Sequence, residues 1–313
     1  MLEVKNLKKL YSTKLVGLES YFDEMVKLYE IKKFPKVLLL NGKKGLGKFT
    51  LVMHFINYIY SRNETISYNL KDKTINTNSL FYNLFLNKTT QDVIFIQAEE
   101  NKNIKIEEIR SLKSTLSNSS LSSNYRFTII DEVEFLNQNS INALLKTLEE
   151  PSDNNFFILI NNQQAKLIDT ISSRCLKNNI FLNSTQRTEA INYLVKDRKI
   201  ESLINFNNNL TPGLFLKFNE IFLKYKITEG DPLFIKLNFL INGYKKDKDK
   251  SLINLAFFLI DDLFFQKIKT NKNDINFLLE TKSSIIKNIN DFVQLNLNIN
   301  SILNIIEIKL KNV

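Results

Sequence analysis

The sequence predicts an α/β domain built on a five-stranded parallel sheet, followed by a C-terminal half made only of helices. Three observations support this fold class. Five short apolar runs alternate with segments of helical periodicity over residues 1–182. The first run leads directly into a glycine-rich loop that ends in a lysine. From residue 184 onward, apolar residues recur only at helical spacing.

Length and composition limit the class of protein. A chain of 313 residues is long enough for two or three domains. No apolar run approaches the roughly 18 residues that span a bilayer. The N-terminal stretch has no signal-peptide pattern, so we expect a cytoplasmic location. A single cysteine excludes an internal disulfide framework and a cysteine-based zinc site.

The formal charge of +10 has two explanations. It is compatible with nucleic-acid contact. However, Lys far outnumbers Arg, and Asn and Ile are abundant, as the bias of an AT-rich genome would also produce. The charge alone therefore does not decide between a nucleic-acid surface and a solvated, lysine-rich exterior.

The secondary-structure elements follow from periodicity and turn residues. Residues 1–35 are predicted to be helical, with an amphipathic segment over 21–31, and residues 61–90 to be irregular with one short helix. Strands are predicted at 37–40, 93–96, 126–131, 156–160 and 179–182. C-terminal helices are predicted at 188–195, 211–225, 233–240 and 251–265, with two more over 274–313. His54, inside the helix after the loop, is predicted to be structural.

The stretch after the first strand has the composition of a phosphate-binding loop. Its members are Gly42, Gly45, Gly47 and Lys48. The glycines would let backbone N–H groups point at phosphate oxygens, and the lysine would add a positive charge. The next residue should carry a hydroxyl that ligates Mg²⁺, but it is Phe49. Thr50 is rotated by about 100° around the helix and cannot simply replace that hydroxyl.

Polar side chains end two later strands. The strand at 126–131 delivers Asp131 and Glu132. Beside a phosphate loop, the aspartate would hold the Mg²⁺ shell, and the glutamate would orient or deprotonate the attacking water. The next strand ends at Asn161, whose amide would either hydrogen-bond a phosphate or the water, or belong to a plain turn.

Four stretches carry a resemblance to a known family. NALLKTLEEP (142–151) and SRC (173–175) resemble signature stretches of bacterial clamp-loader subunits of the AAA+ class. The loop GKKGLGK without a following hydroxyl, and IEEIRSLKSTL (106–116), resemble the delta-prime branch of that family. The resemblance covers residues 15–182. It implies an AAA+ P-loop domain over 1–182, a small helical lid domain over 183–226 and an all-α collar domain over 227–313.

The resemblance also implies a function. The subunit would not hydrolyse ATP itself but would assist loading of the sliding clamp onto primed DNA. Arg174 of the SRC run would reach the ATP site of a neighbouring gamma or tau subunit as an arginine finger. A delta subunit would be a further partner, and no membrane is involved. Local pairing is the alternative for Arg174, and Cys175 is expected to pack as an apolar residue.

Cofactor expectations follow from departures from the family pattern. Residues 51–130 contain no cysteine, so no zinc is expected, and no residue is predicted to ligate another metal. Leu214 stands where the resemblance implies a basic, nucleotide-sensing residue in motor subunits. With Phe49, this indicates a poor ATPase whose binding of ATP is possible but doubtful, although the intact acidic pair argues for activity.

Two other functions remain open from the sequence. The first is an ATPase motor of the gamma or tau type, or another AAA+ enzyme acting on DNA. The second is a phosphate-loop kinase of a small metabolite, which the helical C-terminus and the SRC run disfavour.

Overall fold

The computed structural model describes residues 11–87, 89–90, 92–98, 103–117, 125–204, 210–270 and 274–311. The chain divides into two compact units. The first comprises Met1–Ile200 with Thr211–Gly213, and the second comprises Glu201–Leu210 with Leu214–Val313. The predicted domain borders at residues 182 and 226 stay predictions.

The first unit contains the predicted five-stranded parallel sheet. Its strands are β1 (Val37–Asn41), β2 (Val93–Gln97), β3 (Arg126–Asp131), β4 (Asn155–Asn161) and β5 (Leu176–Asn179). The order across the sheet is β2-β3-β4-β1-β5, and each neighbouring pair is parallel. Every residue of β1, β3 and β4 is buried, which explains why these strands read as continuous apolar runs.

Helices cover both faces of this sheet. The helices of the first unit are α1 (Glu19–Glu30), α2 (Lys48–Ser61), α3 (Leu80–Leu86), α4 (Ile106–Ser117), α5 (Gln138–Glu149), α6 (Asp169–Ser172) and α7 (Ser184–Arg198). One apolar cluster joins α1, α2 and α3 to alternate strand residues such as Leu38 and Leu40. A second cluster joins α4 and α5 to the intervening residues Val37 and Leu39. The period of two along β1 therefore divides its side chains between two cores.

Two element predictions need correction. Within the described part of 1–35, the only helix is α1, whereas residues 1–10 lie outside the described residues. The fifth strand is Leu176–Asn179, not 179–182. It pairs on one side only, with β1, so an apolar run was not required, and Leu176 is largely exposed. The apolar residues Ile180 and Leu182 follow the strand and pack into the first core.

In the described part of the second unit, helices are the only regular secondary structure, as predicted. It contains α8, which starts at Pro212 in the first unit and ends at Tyr225, and α9 (Leu233–Asp247), α10 (Lys250–Thr270), α11 (Ile275–Leu295) and α12 (Ile299–Lys311). The long helix α10 buries Leu255, Ala256, Ile260 and Phe264 within this unit. Among the described residues, no helix combines the length and apolarity needed to cross a membrane.

Candidate functional site

The phosphate loop connects β1 to α2 at the carboxyl edge of the sheet. Gly45 and Gly47 have φ angles of +83° and +89°, a region that side chains with a Cβ rarely adopt. Gly42 is required for a different reason, because a Cβ there would lie 2.4 Å from the Ile180 carbonyl oxygen. The glycines therefore shape the loop as the sequence predicts, and the chain after β5 packs tightly against its start.

Lys48 begins α2 and is only 2% exposed. Its Nζ donates to the Gly42 carbonyl at 2.6 Å and to the Lys43 carbonyl at 2.8 Å. Burial lowers the pKa of this ammonium to about 8, and the nearby Asp131 carboxylate opposes that shift only in part. The lysine that would bind phosphate is thus bonded to the loop's own backbone.

Residues 211–213, which belong to the first unit, pack on the same loop. Thr211 Oγ1 donates to the Lys44 carbonyl, and the Gly213 N–H donates to the Gly45 carbonyl, both at 2.8 Å. A Cβ at Gly213 would come within 2.7 Å of Gly45 Cα, so the approach is as close as glycine permits. Together with the contacts of Lys48, these bonds satisfy the carbonyls of four consecutive loop residues, 42–45.

Phe49 faces the apolar core rather than an ion site. Its ring centroid lies 5.0 Å from that of Phe95 on β2 and 5.9 Å from that of Tyr11. Thr50, the next residue on α2, is half-buried. The loop has the glycines and the lysine of a phosphate-binding loop, but α2 carries no hydroxyl at the position from which such loops ligate Mg²⁺. The residues present therefore do not fit the complete metal–nucleotide site.

Asp131 ends β3 beside the loop, where the sequence predicts it. Its Oδ1 accepts from Asn162 Nδ2 at 3.0 Å and from the Glu132 N–H at 2.8 Å, and Gln97 Nε2 donates to Oδ2 at 3.3 Å. Burial, followed by the neighbouring Glu132 charge, raises the pKa of this carboxyl to about 6. The carboxylate is held in place by amide and backbone donors.

Glu132 adopts a left-handed backbone conformation, with φ at +59°. Its Oε1 accepts from Lys44 Nζ at 2.8 Å and from Gln164 Nε2 at 3.2 Å. Lys44 is a loop residue, so this ion pair ties the loop to the end of β3. The acidic pair and the loop are therefore brought together as predicted, but both carboxylates already have partners within the chain.

Three asparagines form an amide ladder across the carboxyl edge. Asn161 Nδ2 donates to Asn41 Oδ1, and Asn41 Nδ2 donates to Asn179 Oδ1, both at 2.8 Å. These residues are direct partners in the register of β4, β1 and β5. The amide of Asn161 thus lies in this ladder, and it is Asn162 that contacts Asp131. The Asn161-Asn162 pair is visible in the sequence. Which of the two amides contacts Asp131, however, depends on the residue at which β4 ends.

Arg174 lies at the opposite, amino edge of the sheet, between α6 and β5. Its Nε donates to Glu149 Oε1 at 2.7 Å, and its Nη1 donates to the Thr170 carbonyl at 2.8 Å. The side chain is 32% exposed. Each strand residue advances by about 3.3 Å, so the five residues of β1 separate the two edges by about 16 Å. The structure therefore does not bring Arg174 together with the phosphate loop of its own chain.

The single histidine and the single cysteine have structural contacts. His54 Nδ1 lies 2.9 Å from the Tyr68 hydroxyl, and Nε2 lies 3.0 Å from the Ser12 carbonyl oxygen. Burial lowers the pKa of this imidazole to about 4. Cys175 Sγ donates to the Ile171 carbonyl at 3.0 Å, and burial raises the pKa of the thiol to about 11. Both groups are therefore neutral near pH 7, in agreement with the structural roles predicted for them.

Sequence reasoning missed four residues of these two edges: Lys44, Asn162 and Gln164 around the acidic pair, and Glu149 beside Arg174. Three of them had a visible signal. Asn162 directly follows Asn161 at the end of an apolar run. Lys44 is part of the loop motif, and Glu149 is part of the NALLKTLEEP stretch. Gln164 had none, because its contact depends on the turn after β4. That turn is held by Glu134, whose carboxylate accepts from the N–H groups of Asn162 and Gln164.

Comparison with known proteins adds a second line of evidence. The family model described as "DNA polymerase III, delta subunit" matches residues 17–182. The DNA polymerase III subunit delta' of Buchnera aphidicola subsp. Schizaphis graminum is 27% identical over 189 residues, covering 60% of this chain and 55% of that protein. The gamma subunit from the same organism is 29% identical, covering 58% and 47%. The chain thus spans about half the length of these curated relatives.

A solved structure supports the fold over most of the chain. It is a DNA polymerase III, gamma subunit-related protein from Thermotoga maritima, with a TM-score of 0.50 and 20% identity. The match covers 92% of this chain and 99% of that one. The predicted fold class, an α/β AAA+ domain followed by helical C-terminal domains, is confirmed.

Proposed function

This chain belongs to the family described as "DNA polymerase III, delta subunit", and we propose that it is a non-hydrolysing subunit of a clamp loader. In this role it assembles with gamma or tau subunits and a delta subunit in the cytoplasm. The assembly uses ATP to place a sliding clamp on primed DNA. The chain itself contributes a rigid AAA+ domain and a cation for a neighbour's ATP site, and it needs no nucleotide or zinc of its own.

The contacts of the phosphate loop support the absence of hydrolysis. Phe49 replaces the metal-binding hydroxyl, and its ring is packed against Phe95. Lys48 is bonded to loop carbonyls, and Glu132 is paired with Lys44. Hydrolysis needs the metal ligand, the phosphate-binding lysine and the glutamate together, and losing one part of such a unit costs orders of magnitude in rate.

The position of Arg174 carries the proposed action in trans. It lies about 16 Å from the edge that holds its own phosphate loop, and its side chain is 32% exposed. A guanidinium is always charged and can bond two phosphate oxygens at once, so it stabilises the charge that develops during phosphoryl transfer. An arginine in this position can serve a phosphate bound by another subunit but not one bound by its own chain.

A motor subunit of the gamma or tau type is the second candidate. The relative named gamma is as similar as the relative named delta'. In addition, Asp131 and Glu132 lie beside the loop in the arrangement that a hydrolysing site uses.

Turnover of ATP by the purified chain distinguishes the two candidates. We expect no Mg²⁺-dependent phosphate release above the buffer background, and weak or no binding in a titration with a fluorescent ATP analogue. The turnover of the variant Phe49→Ser, which has a hydroxyl at the metal-binding position, is measured beside that of the unaltered chain for comparison. Robust turnover by the unaltered chain would support the motor and contradict the non-hydrolysing role.

A further inference from the structure

Glu149 is the residue that holds the guanidinium of Arg174. Its Oε1 accepts from Arg174 Nε at 2.7 Å and also forms an ion pair with Nη2. The two residues are 25 positions apart in the sequence, and they meet because α5 ends where α6 leads into β5. On the other side, the Thr170 carbonyl accepts from Nη1 at 2.8 Å. Residues of α5 and α6 therefore together hold the guanidinium.

The location of Glu149 is not explained by the helix that carries it. It is the last residue of α5. Carboxylates are unfavourable at a helix C-terminus, where the peptide dipoles leave partial negative charge. The neighbouring Glu150 is at the same helix end, but its carboxylate makes no contact with Arg174 among the hydrogen bonds and ion pairs of the described residues. The contact with the guanidinium supplies a favourable partner that α5 itself does not offer.

The donors left on Arg174 suit a phosphate. A guanidinium has five N–H groups. Glu149 takes Nε and one N–H of Nη2, and Thr170 takes one N–H of Nη1. The other N–H of Nη1 has only a long contact of 3.3 Å with Ser173 Oγ. One N–H of Nη2, and one of Nη1 once it exchanges its long contact with Ser173, can therefore bond two phosphate oxygens while Glu149 and Thr170 keep their bonds.

We propose that Glu149 is a positioning residue that presents Arg174 to the ATP site of a neighbouring subunit. This inference rests on the proposed function, because it assumes that Arg174 acts in trans. An unrestrained arginine side chain samples many rotamers, and it loses this conformational entropy when it binds a phosphate. Because Glu149 already restricts the rotamers of Arg174, less conformational entropy is lost when the guanidinium binds the phosphate.

A double-mutant cycle in the reconstituted clamp-loader complex tests the proposal. We expect Glu149→Ala to lower the Arg174-dependent ATP turnover by about two- to tenfold, the range expected for leaving one long side chain unordered. Glu149→Gln keeps an acceptor oxygen and should lose less. In the Arg174→Ala background, Glu149→Ala should cause no further loss, because Glu149 acts only through Arg174.

Glu150→Ala is the matched control, since it removes a carboxylate from the same helix end and should leave turnover unchanged. If Arg174→Ala itself has no effect, the action in trans is wrong, and the inference falls with it. If Arg174→Ala lowers turnover but Glu149→Ala and Glu149→Gln do not, the positioning role alone is wrong. A loss that persists in the Arg174→Ala background, or faster turnover in Glu149→Ala, would also overturn it. Should Glu149→Ala prevent folding, Glu149→Gln decides the outcome by itself.

Discussion

The carboxyl and amino edges of the same sheet differ in how their cations are used. At the carboxyl edge, Lys48 is 2% exposed and bonded to two carbonyls of its own loop. At the amino edge, the side chain of Arg174 is 32% exposed and is held by Glu149 and Thr170. The motif that first suggests an active centre is thus buried and bonded within the chain, whereas the guanidinium of Arg174 is bonded within the chain but keeps about a third of its side-chain surface exposed.

Lysine and arginine also differ as types of cation in how their charge responds to pH. Burial lowers the pKa of Lys48 to about 8, so part of its population is neutral in mildly alkaline buffer. An arginine keeps its charge under all such conditions. A role in stabilising a phosphoryl group therefore suits the amino edge better than the carboxyl edge.

The largest expected effect on stability tests the tight packing of the carboxyl edge. Gly42→Ala would place a Cβ 2.4 Å from the Ile180 carbonyl oxygen. Neither backbone can move freely, because the Gly42 N–H donates to the Asn161 carbonyl and the Ile180 N–H donates to the Asn41 carbonyl at the strand ends. We expect the free energy of unfolding of the first unit to fall by about 3 kcal/mol, in the range for overpacking in a rigid site.

Chemical denaturation of Gly42→Ala measures this loss. Gly230→Ala is its control, because a Cβ at Gly230 has no neighbour within 4 Å. Equal stability of the two variants would show that the loop can move to accept a Cβ. That result would contradict the tight packing described for the carboxyl edge.

The second prediction concerns pH and the buried side of α2. The pKa of His54 is about 4 in the folded chain, against 6.5 for an unperturbed histidine. The unfolded chain therefore binds the proton first as the pH falls below 6.5, and stability is lost progressively down to pH 4. Between pH 7 and pH 5 this group alone should lower the free energy of unfolding by about 2 kcal/mol.

Urea unfolding of the unaltered chain and of His54→Gln, at both pH values, isolates this contribution. Asp131 titrates with the opposite sign, since its folded pKa is raised to about 6 and protonation favours the folded state. It is present in both proteins, so it cancels in the difference. The same pH dependence in the two proteins would contradict a buried, neutral imidazole.

A smaller effect is expected from Lys48→Met. The variant removes the donor that satisfies the Gly42 and Lys43 carbonyls, but it also relieves the burial of an ammonium. We expect a net loss of about 1 kcal/mol in the free energy of unfolding, measured by denaturant titration. A much larger loss would mean that the lysine is a main support of the loop, and a gain would mean that its two bonds are weak.

The sheet and the phosphate loop were accessible to sequence reasoning because their signals are local. Strands buried on both faces appear as apolar runs, and the loop needs glycines at fixed spacing. The fifth strand was misplaced because an edge strand pairs on one side only and Leu176 is exposed, so burial does not mark it. The contact between Glu149 and Arg174 could not be predicted because it depends on where two helices end across the fold.

The central claim is that this chain acts on ATP turnover through Arg174 and not through its phosphate loop. ATP turnover in the reconstituted complex, with assembly verified for each variant, tests it directly. We predict that Arg174→Ala lowers clamp-stimulated turnover by at least about tenfold, while Lys48→Met leaves it within about twofold of the unaltered complex. Loss of turnover in Lys48→Met, with normal turnover in Arg174→Ala, would contradict the account.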